Sequence, residues 1–462
     1  MSKLFFKVIS LFILSVSFVN AQEIAISGKS TIADNKQIWL YAYTDYFSMN
    51  EVLLDNQQVG ENGDFSIKIK NTETKLVILK TEKFYTTFFV EPEKNYELIL
   101  NANDSNAIRT FGKEIYFSVQ FAKADSTELN QKINAFEQQL DVFYNDNLLL
   151  FPIKKARPAT KLFCEKIEKE YATNQVKNFF NNYVNYQLAL LKEAAGYPKK
   201  ELFLQYISPI IDYSNPAYVS LFNSFYKQYL AQKRVTDRGK YLDENINRMF
   251  SYPATMETML AADTLLVSEE LRELVLLKIL YENYFDANMN KQSIEILLKY
   301  IADVGKNKQN KLIANQINYK LTHLKKGKKV PYFSLKDSKG EAFTLKDFKT
   351  KYVYINFYAD WCVDCYSEMK AQQKLFEKYG KRIQFISFYI GDSEDLFKAT
   401  LNPEFKWTFS YLEQKSELLN FFKVKALPLY VLLDTEGDIF NYPARKPSED
   451  TDAFFKELLK KK

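Results

Sequence analysis

Apolar positions change their spacing along this chain, and the change divides it into parts. From residue 22 to about 103 the spacing is the short one of strands. Ile24-Ala25-Ile26-Ser27-Gly28, Ile38-Trp39-Leu40-Tyr41-Ala42-Tyr43 and Phe65-Ser66-Ile67-Lys68-Ile69 are rich in β-branched and aromatic residues that partly alternate with polar ones. Such runs suit strands with one buried face. Residues 76–79 and 96–100 extend the series, and Asp34-Asn35, Asp55-Asn56 and Glu61-Asn62-Gly63-Asp64 read as turns between the runs. The pattern predicts an all-β antiparallel sandwich of about seven strands.

From about 104 to 324 the period lengthens. Leu129, Ile133, Phe136, Leu140 and Phe143 are spaced four, three, four and three apart, which aligns them on one helix face. Asp125-Ser126-Thr127-Glu128 precedes them and supplies an N-cap. Tyr218, Leu221, Phe222, Phe225 and Tyr229 repeat the pattern, as do residues 271–280 and Ile294, Leu297, Leu298 and Ile301. Pro152, Pro158, Pro198, Pro209, Pro216 and Pro253 mark helix boundaries. No fixed repeat length recurs, so the expectation is an all-α domain with its aromatic stripes as core. His323-Leu324-Lys325-Lys326-Gly327-Lys328-Lys329 reads as a basic, solvated hinge.

Beyond the hinge the predicted order is β, β, α, β, α, β, β, α. Residues 352–358 (YVYINFY) form a buried-strand run, 365–379 a helix and 382–390 a strand. Residues 429–433 and 439–442 form a hairpin through Thr435-Glu436-Gly437-Asp438, and 451–461 a last amphipathic helix. The chain of 462 residues is too long for one ordinary domain. The expected architecture is multidomain: an all-β sandwich over 22–103, an all-α domain over 104–324 and an α/β domain over 325–462.

Composition narrows the classes of function. Hydrophobic residues are 47% of the chain and aromatics 16%, so a large core is available. A formal charge of +6, spread over many acids and bases, forms no basic stripe for nucleic acid. Residues 1–21 read as a cleavable signal peptide: Lys3 and Lys7, an apolar run over 8–19, then Val19-Asn20-Ala21. The run is short for a membrane span. The mature chain is expected to be exported to the periplasm or cell envelope.

The chain has 3 cysteines and 1 histidine. That is too few for a disulfide-stapled fold or a four-ligand zinc site, and it leaves Ser-His-Asp or Cys-His catalysis without support. No metal or cofactor is expected. Two of the cysteines form Cys362-Val363-Asp364-Cys365 at a strand-to-helix junction. A helix N-terminus favours an anion, so the Cys362 thiol ionises more readily there. Cys365, one turn on, can resolve a mixed disulfide. Strand, CxxC and helix in this order read as thioredoxin-type redox chemistry. Cys164, on an apolar helical pattern, reads as a buried, inert thiol.

Three further segments carry a resemblance. They are 327–335 (GKKVPYFSL), 340–345 (GEAFTL) and 354–365 (YINFYADWCVDC). Together with the CxxC they make residues 330–462 similar to the TlpA/ResA-like thiol–disulfide oxidoreductases, and the preceding parts resemble the N-terminal extensions of exported multidomain members from Bacteroidota. The resemblance implies a thioredoxin fold. It implies that Cys362 is the nucleophile and Cys365 the resolving thiol, with Trp361 beside them. It places Pro428 as a cis-proline facing the disulfide, with the Leu427 backbone free to pair with an extended substrate. Glu368, three residues after Cys365, corresponds to an acid that modulates the cysteines. Asn356 stands where cytosolic thioredoxins have a buried Asp. The Val363-Asp364 insert and Leu429 depart from the family pattern. No Pro-x-x-x-Thr-x-x-Cys arrangement of the peroxiredoxins is present.

The expected function is an exported reductase of protein disulfides. Its electrons would come from a membrane thiol donor, since no nicotinamide or flavin fingerprint occurs. An oxidase or isomerase using the same cysteines, and a binding or scaffold protein with an auxiliary redox domain, are the alternatives.

Overall fold

The computed structural model describes residues 22–460, apart from 32–36, 82–83, 102–114, 123–124, 173–176, 249–252, 392, 414–415 and 425–426. The expected signal peptide over 1–21 and the Asp34-Asn35 turn lie outside the described residues.

The N-terminal alternation produces two sheets that share one core. The strands are β1 (Gln22–Ser30), β2 (Gln37–Tyr43), β3 (Glu51–Gln58), β4 (Asp64–Asn71), β5 (Lys75–Lys80), β6 (Phe84–Val90), β7 (Tyr96–Leu100), β8 (Ile115–Tyr116) and β9 (Gln120–Phe121). They pair in the orders β4-β1-β7-β9 and β3-β2-β5-β6-β8. Ile24, Ile26, Phe65 and Ile67 of the first sheet pack with Ile38, Leu40, Val77 and Leu79 of the second. β4 shows why: its residues alternate strictly between exposed and buried, as a half-buried strand requires. The sandwich is not purely antiparallel, as the sequence suggested. β7 lies parallel to β1, and β8 parallel to β6. The chain spends β5 and β6 in the second sheet, so it returns to the first running in the direction of β1. Two short strands beyond residue 103 also join the sheets.

Asp55-Asn56 is not a turn either. Both residues lie inside β3, opposite Leu40 and Trp39. β3 is an edge strand with little burial on either face, so polar residues cost it little. The real turn falls at 44–50, where the Asp45 carboxylate accepts from the N–H of Phe47 (2.9 Å) and Ser48 (2.6 Å).

The helices are α1 (Leu129–Asn147), α2 (Arg157–Glu170), α3 (Phe179–Ala194), α4 (Lys199–Leu202), α5 (Pro216–Phe225), α6 (Tyr229–Lys233), α7 (Asp237–Asn247), α8 (Pro253–Leu260), α9 (Glu269–Asn283), α10 (Lys291–Val304) and α11 (Lys308–Thr322). Glu128 caps α1 by accepting from the N–H of Gln131. Pro216 and Pro253 open α5 and α8, where a missing N–H is harmless. The aromatic stripes are core: Phe136, Tyr218 and Phe222 are fully buried in one continuous cluster. The 44–50 turn of the sandwich plugs into this body. The Phe47 ring meets Phe222 at 5.4 Å and Tyr213 at 6.0 Å. Asn50 Nδ2 donates to the Gln316 carbonyl at 2.9 Å.

Residues 323–329 are a joint that is packed at its start and exposed, as expected, over 326–329. His323 is 7% exposed, stacked on Tyr319 at 5.0 Å and edge-on to Phe421 at 6.2 Å. Lys325 pairs with Glu295. The Gly327 N–H donates to the Ile439 carbonyl (2.7 Å), and the Ile439 N–H to the Lys328 carbonyl (2.9 Å). The segment therefore saturates a strand edge of the following domain, which its lysine-rich composition conceals. Burial, together with the Lys423 ammonium, holds the His323 imidazole below its ordinary 6.5, against the backbone carbonyls of Tyr319, Lys320 and Phe421. The packed joint thus favours the neutral ring. Its contribution is complete above pH 6.5 and is lost as pH falls through the lower packed-state value. Because His323 is the only histidine, its ring resonances can be followed without ambiguity. Titration by NMR is expected at a midpoint below 6.5; a midpoint at or above it would contradict the packed joint.

The last part contains β10 (Leu335–Lys336), β11 (Ala342–Phe343), β12 (Tyr352–Tyr358), α12 (Val363–Tyr379), β13 (Ile383–Ile390), α13 (Glu394–Thr400), β14 (Thr408–Leu412), α14 (Glu417–Phe422), β15 (Leu429–Leu433), β16 (Ile439–Asn441) and α15 (Thr451–Leu458). Five strands pair in the order β14-β13-β12-β15-β16, with β13 parallel and β15 antiparallel to the central β12. Side chains of β12 divide between two layers. Tyr354 and Tyr358 pack with Met369, Leu375 and Phe455 of α12 and α15; Val353, Ile355 and Phe357 pack with Leu418 and Phe422 of α14. This is a thioredoxin-like α/β fold. The predicted order lacked three elements: one of β10 and β11, one of α13 and α14, and β14. β10 and β11 have two residues each, and α13, α14 and β14 seven, six and five, too short to display a period. Among the described residues no helix is long and apolar enough to cross a membrane.

Candidate active site

β12 ends at Tyr358, and four residues later the chain enters α12 with Cys362 as its N-cap. The Cys362 backbone is extended (φ −87°, ψ 92°), and its Sγ accepts from the Cys365 N–H at 3.2 Å. A cap position leaves the first N–H groups of the helix without intrahelical partners, and here the sulfur takes one. Cys362 and Cys365 form a disulfide with Cα atoms 5.3 Å apart. Cys365 is fully buried; Cys362 retains 5% exposure. Trp361 and Val363, 51% and 80% exposed, stand on either side of Cys362. Asp364 is also exposed, in the first turn of α12.

The sheet brings Pro428 to the same end. Leu429 pairs with Phe357, at the end of β12 that leads to the CxxC. The Leu427–Pro428 peptide is cis, and Leu427 packs against the cluster containing both cysteines.

Glu368 is one turn further along α12, half-buried and tied to Ser448. Its carboxylate accepts from the Ser448 N–H (3.0 Å) and the Ser448 hydroxyl (2.5 Å). Its charge also reaches two buried phenols. Tyr354 and Tyr430 stack at 5.1 Å, and burial pushes both well above the usual tyrosine range. Tyr430 and then Glu368 raise the Tyr354 value further, and Glu368 adds to that of Tyr430.

Asn356, on β12, is fully buried in a polar knot that sequence reasoning left incomplete. The Ser387 hydroxyl donates to Asn356 Oδ1 (2.5 Å) and accepts from the Trp407 indole N–H (2.7 Å). Gln372 Nε2 approaches Asn356 Oδ1 at 3.4 Å. Among the described residues Asn356 Nδ2 and Gln372 Oε1 find no hydrogen-bond partner. A signal was present: Asn356 and Ser387 each interrupt an apolar run, and the two are register partners on β12 and β13.

Cys164 takes no part in this site. It is buried in α2, and burial pushes its thiol up to about 11, so it stays protonated and unreactive at neutral pH. Among the described residues no group of three or more His, Cys, Asp or Glu is placed to hold a metal ion.

An AhpC/TSA family model matches residues 326–441. The thiol–disulfide oxidoreductase ResA of Bacillus thuringiensis is 29% identical over 136 residues, which cover 29% of this chain and 77% of ResA. The thioredoxin-like protein YneN of Bacillus subtilis is 31% identical over 118 residues, covering 25% of this chain and 69% of YneN. The solution structure of a putative thiol–disulfide oxidoreductase from Bacteroides vulgatus is similar at 30% identity with a TM-score of 0.27, over 28% of this chain and 87% of that one. Through its C-terminal domain, the chain belongs to the TlpA/ResA-like family of thioredoxin-fold thiol–disulfide oxidoreductases.

Proposed function

We propose that this enzyme is an exported reductase of protein disulfides, with Cys362 as nucleophile and Cys365 as resolving thiol. The carrying observation is the hydrogen bond from the Cys365 N–H to Cys362 Sγ at the start of α12. The same N–H, with the positive end of the helix, stabilises a thiolate on Cys362. The lesser burial of Cys362 also makes it the sulfur that an incoming disulfide meets first.

In the reduced enzyme the Cys362 thiolate attacks one sulfur of the substrate disulfide. A Cys362–substrate bond forms, the substrate S–S bond breaks, and the departing thiolate takes up a proton. Cys365 then loses its proton and attacks Cys362 Sγ, releasing the second substrate thiol and leaving the Cys362–Cys365 disulfide. Two electrons have passed to the substrate. A dithiol donor at the membrane reverses the sequence to restore the enzyme.

Leu427 and Trp361 form the contact surface, with the Leu427 backbone pairing with an extended substrate and Pro428 closing the far wall. Glu368 acts as a modulating acid through its tie to Ser448. Asp364 supports the reducing direction: a carboxylate beside a thiolate disfavours it, and a less stable thiolate accompanies a more reducing couple. The sandwich, extended beyond residue 103 by β8 and β9, and the helical part present the redox domain, 325–462, to partners in the periplasm or envelope.

Equilibration with glutathione or dithiothreitol buffers tests the direction. The expected reduction potential lies near the reducing end of the thioredoxin-fold range, with efficient insulin reduction and little unscrambling of misoxidised substrate. A potential near that of a strong oxidant would transfer the enzyme to the oxidases.

A further inference from the structure

The turn between α1 and α2 presents aliphatic side chains to solvent. Leu148, Leu149 and Ile153 are 61%, 83% and 57% exposed, and Val142 of α1 and Leu162 of α2 are exposed as well. The turn is held in this form. Phe143 stacks on Phe163 at 4.4 Å and Tyr144 on Phe151 at 5.2 Å. The Lys154 N–H donates to the Phe151 carbonyl (3.0 Å) and the Lys155 N–H to the Leu150 carbonyl (2.9 Å). These contacts fix an exposed tip with leucines at its crest.

Charge around the crest is mainly basic: Asp146, exposed ahead of Leu148, is outnumbered by the lysines and arginine that follow. Residues 147–161 include Lys154, Lys155, Arg157 and Lys161, and no Asp or Glu. Lys154 and Lys155 are exposed beside Ile153. We propose that the α1–α2 tip is a docking wedge for an anionic phospholipid surface. Leu148, Leu149 and Ile153 enter the boundary between headgroups and acyl chains, while Lys154 and Lys155 meet the lipid phosphates. Apolar insertion and electrostatic attraction reinforce each other in such peripheral binding. A second copy of the chain fits less well, because two such tips would bring like charges together. A protein partner also fits less well: interface cores favour aromatic residues and are depleted in lysine, whereas this crest is aliphatic and rimmed by lysine. The inference is independent of the thiol chemistry.

Co-sedimentation of residues 22–462 with phosphatidylcholine vesicles, with and without about one-third phosphatidylglycerol, tests it. Binding is expected only to the anionic vesicles and should fall with added salt. The Leu149→Ser/Ile153→Ser pair should weaken it about tenfold or more, and the Lys154→Glu/Lys155→Glu pair by about tenfold. Both variants should keep the parent melting temperature and insulin reduction. Absence of vesicle binding by the parent chain overturns the proposal, and so does binding that either pair leaves unchanged. Self-association abolished by Leu149→Ser, or an acidic protein held at the tip without vesicle binding, would replace the lipid by that partner.

Discussion

Cys362→Ser is expected to lower reduction of a protein disulfide by on the order of a thousandfold or more, the scale of losing a nucleophile. Serine keeps the cap: its hydroxyl accepts the Cys365 N–H in place of Cys362 Sγ and belongs to the best N-cap residues. The fold should therefore persist while exchange stops. Cys365→Ala separates the two thiols further. The first attack remains possible, the resolving step does not, and a mixed disulfide should accumulate on Cys362. Mass spectrometry after non-reducing electrophoresis would display it. Cys164 is not expected to substitute, being buried in α2 and protonated at neutral pH. Retention of turnover in Cys362→Ser, or trapping through Cys365 instead of Cys362, would reverse the assigned roles. If both single variants and the double serine variant left the cellular role intact, the redox domain would be auxiliary to a binding function.

Ser387→Ala is expected to destabilise the C-terminal domain by roughly 2–5 kcal/mol, although it removes one oxygen atom. That oxygen serves two buried partners, the Asn356 carbonyl and the Trp407 indole N–H. Losing it leaves the indole N–H unsatisfied and Asn356 Oδ1 with only the 3.4 Å approach of Gln372. Each stranded buried group costs about 1–3 kcal/mol. Hydrogen exchange of peptides from β12 and β13 would report the loss locally, which matters in a chain of several domains where one unfolding transition is not assured. Trp407→Phe added to Ser387→Ala removes the stranded donor and should restore part of the stability. If the double variant were as unstable as the sum of the singles, the knot would not be the cause.

The legibility of the fold followed the length of its elements. α1 and α10 were readable because 19 and 14 residues display a helical face several times over. β14, at five residues between two short helices, was not. Composition misled in two places for one reason. Asp55-Asn56 and the lysine-rich 323–329 segment look like solvent-facing connections, yet both complete sheet edges through backbone groups, and backbone pairing does not depend on side-chain polarity.

The cysteine pair was legible because its geometry is local. A strand, a short link and a helix N-terminus arise from neighbouring residues, and a CxxC at that junction places one sulfur at the cap whatever the rest of the chain does. The surroundings of that pair were settled by contacts between distant segments. Glu368 meets Ser448 eighty residues away, Asn356 meets Ser387 and, through it, Trp407, and Pro428 arrives through the pairing of β15 with β12. Each needs strand order and register before two side chains can approach. The sequence by itself determined that a cysteine pair opens a helix after a strand and which of the longer runs are strands or helices, since those depend on period and short-range backbone chemistry. Only the tertiary structure decided the parallel return of β7, the docking of His323 between Tyr319 and Phe421 and the partners of the buried polar groups, because these depend on which distant surfaces bury one another.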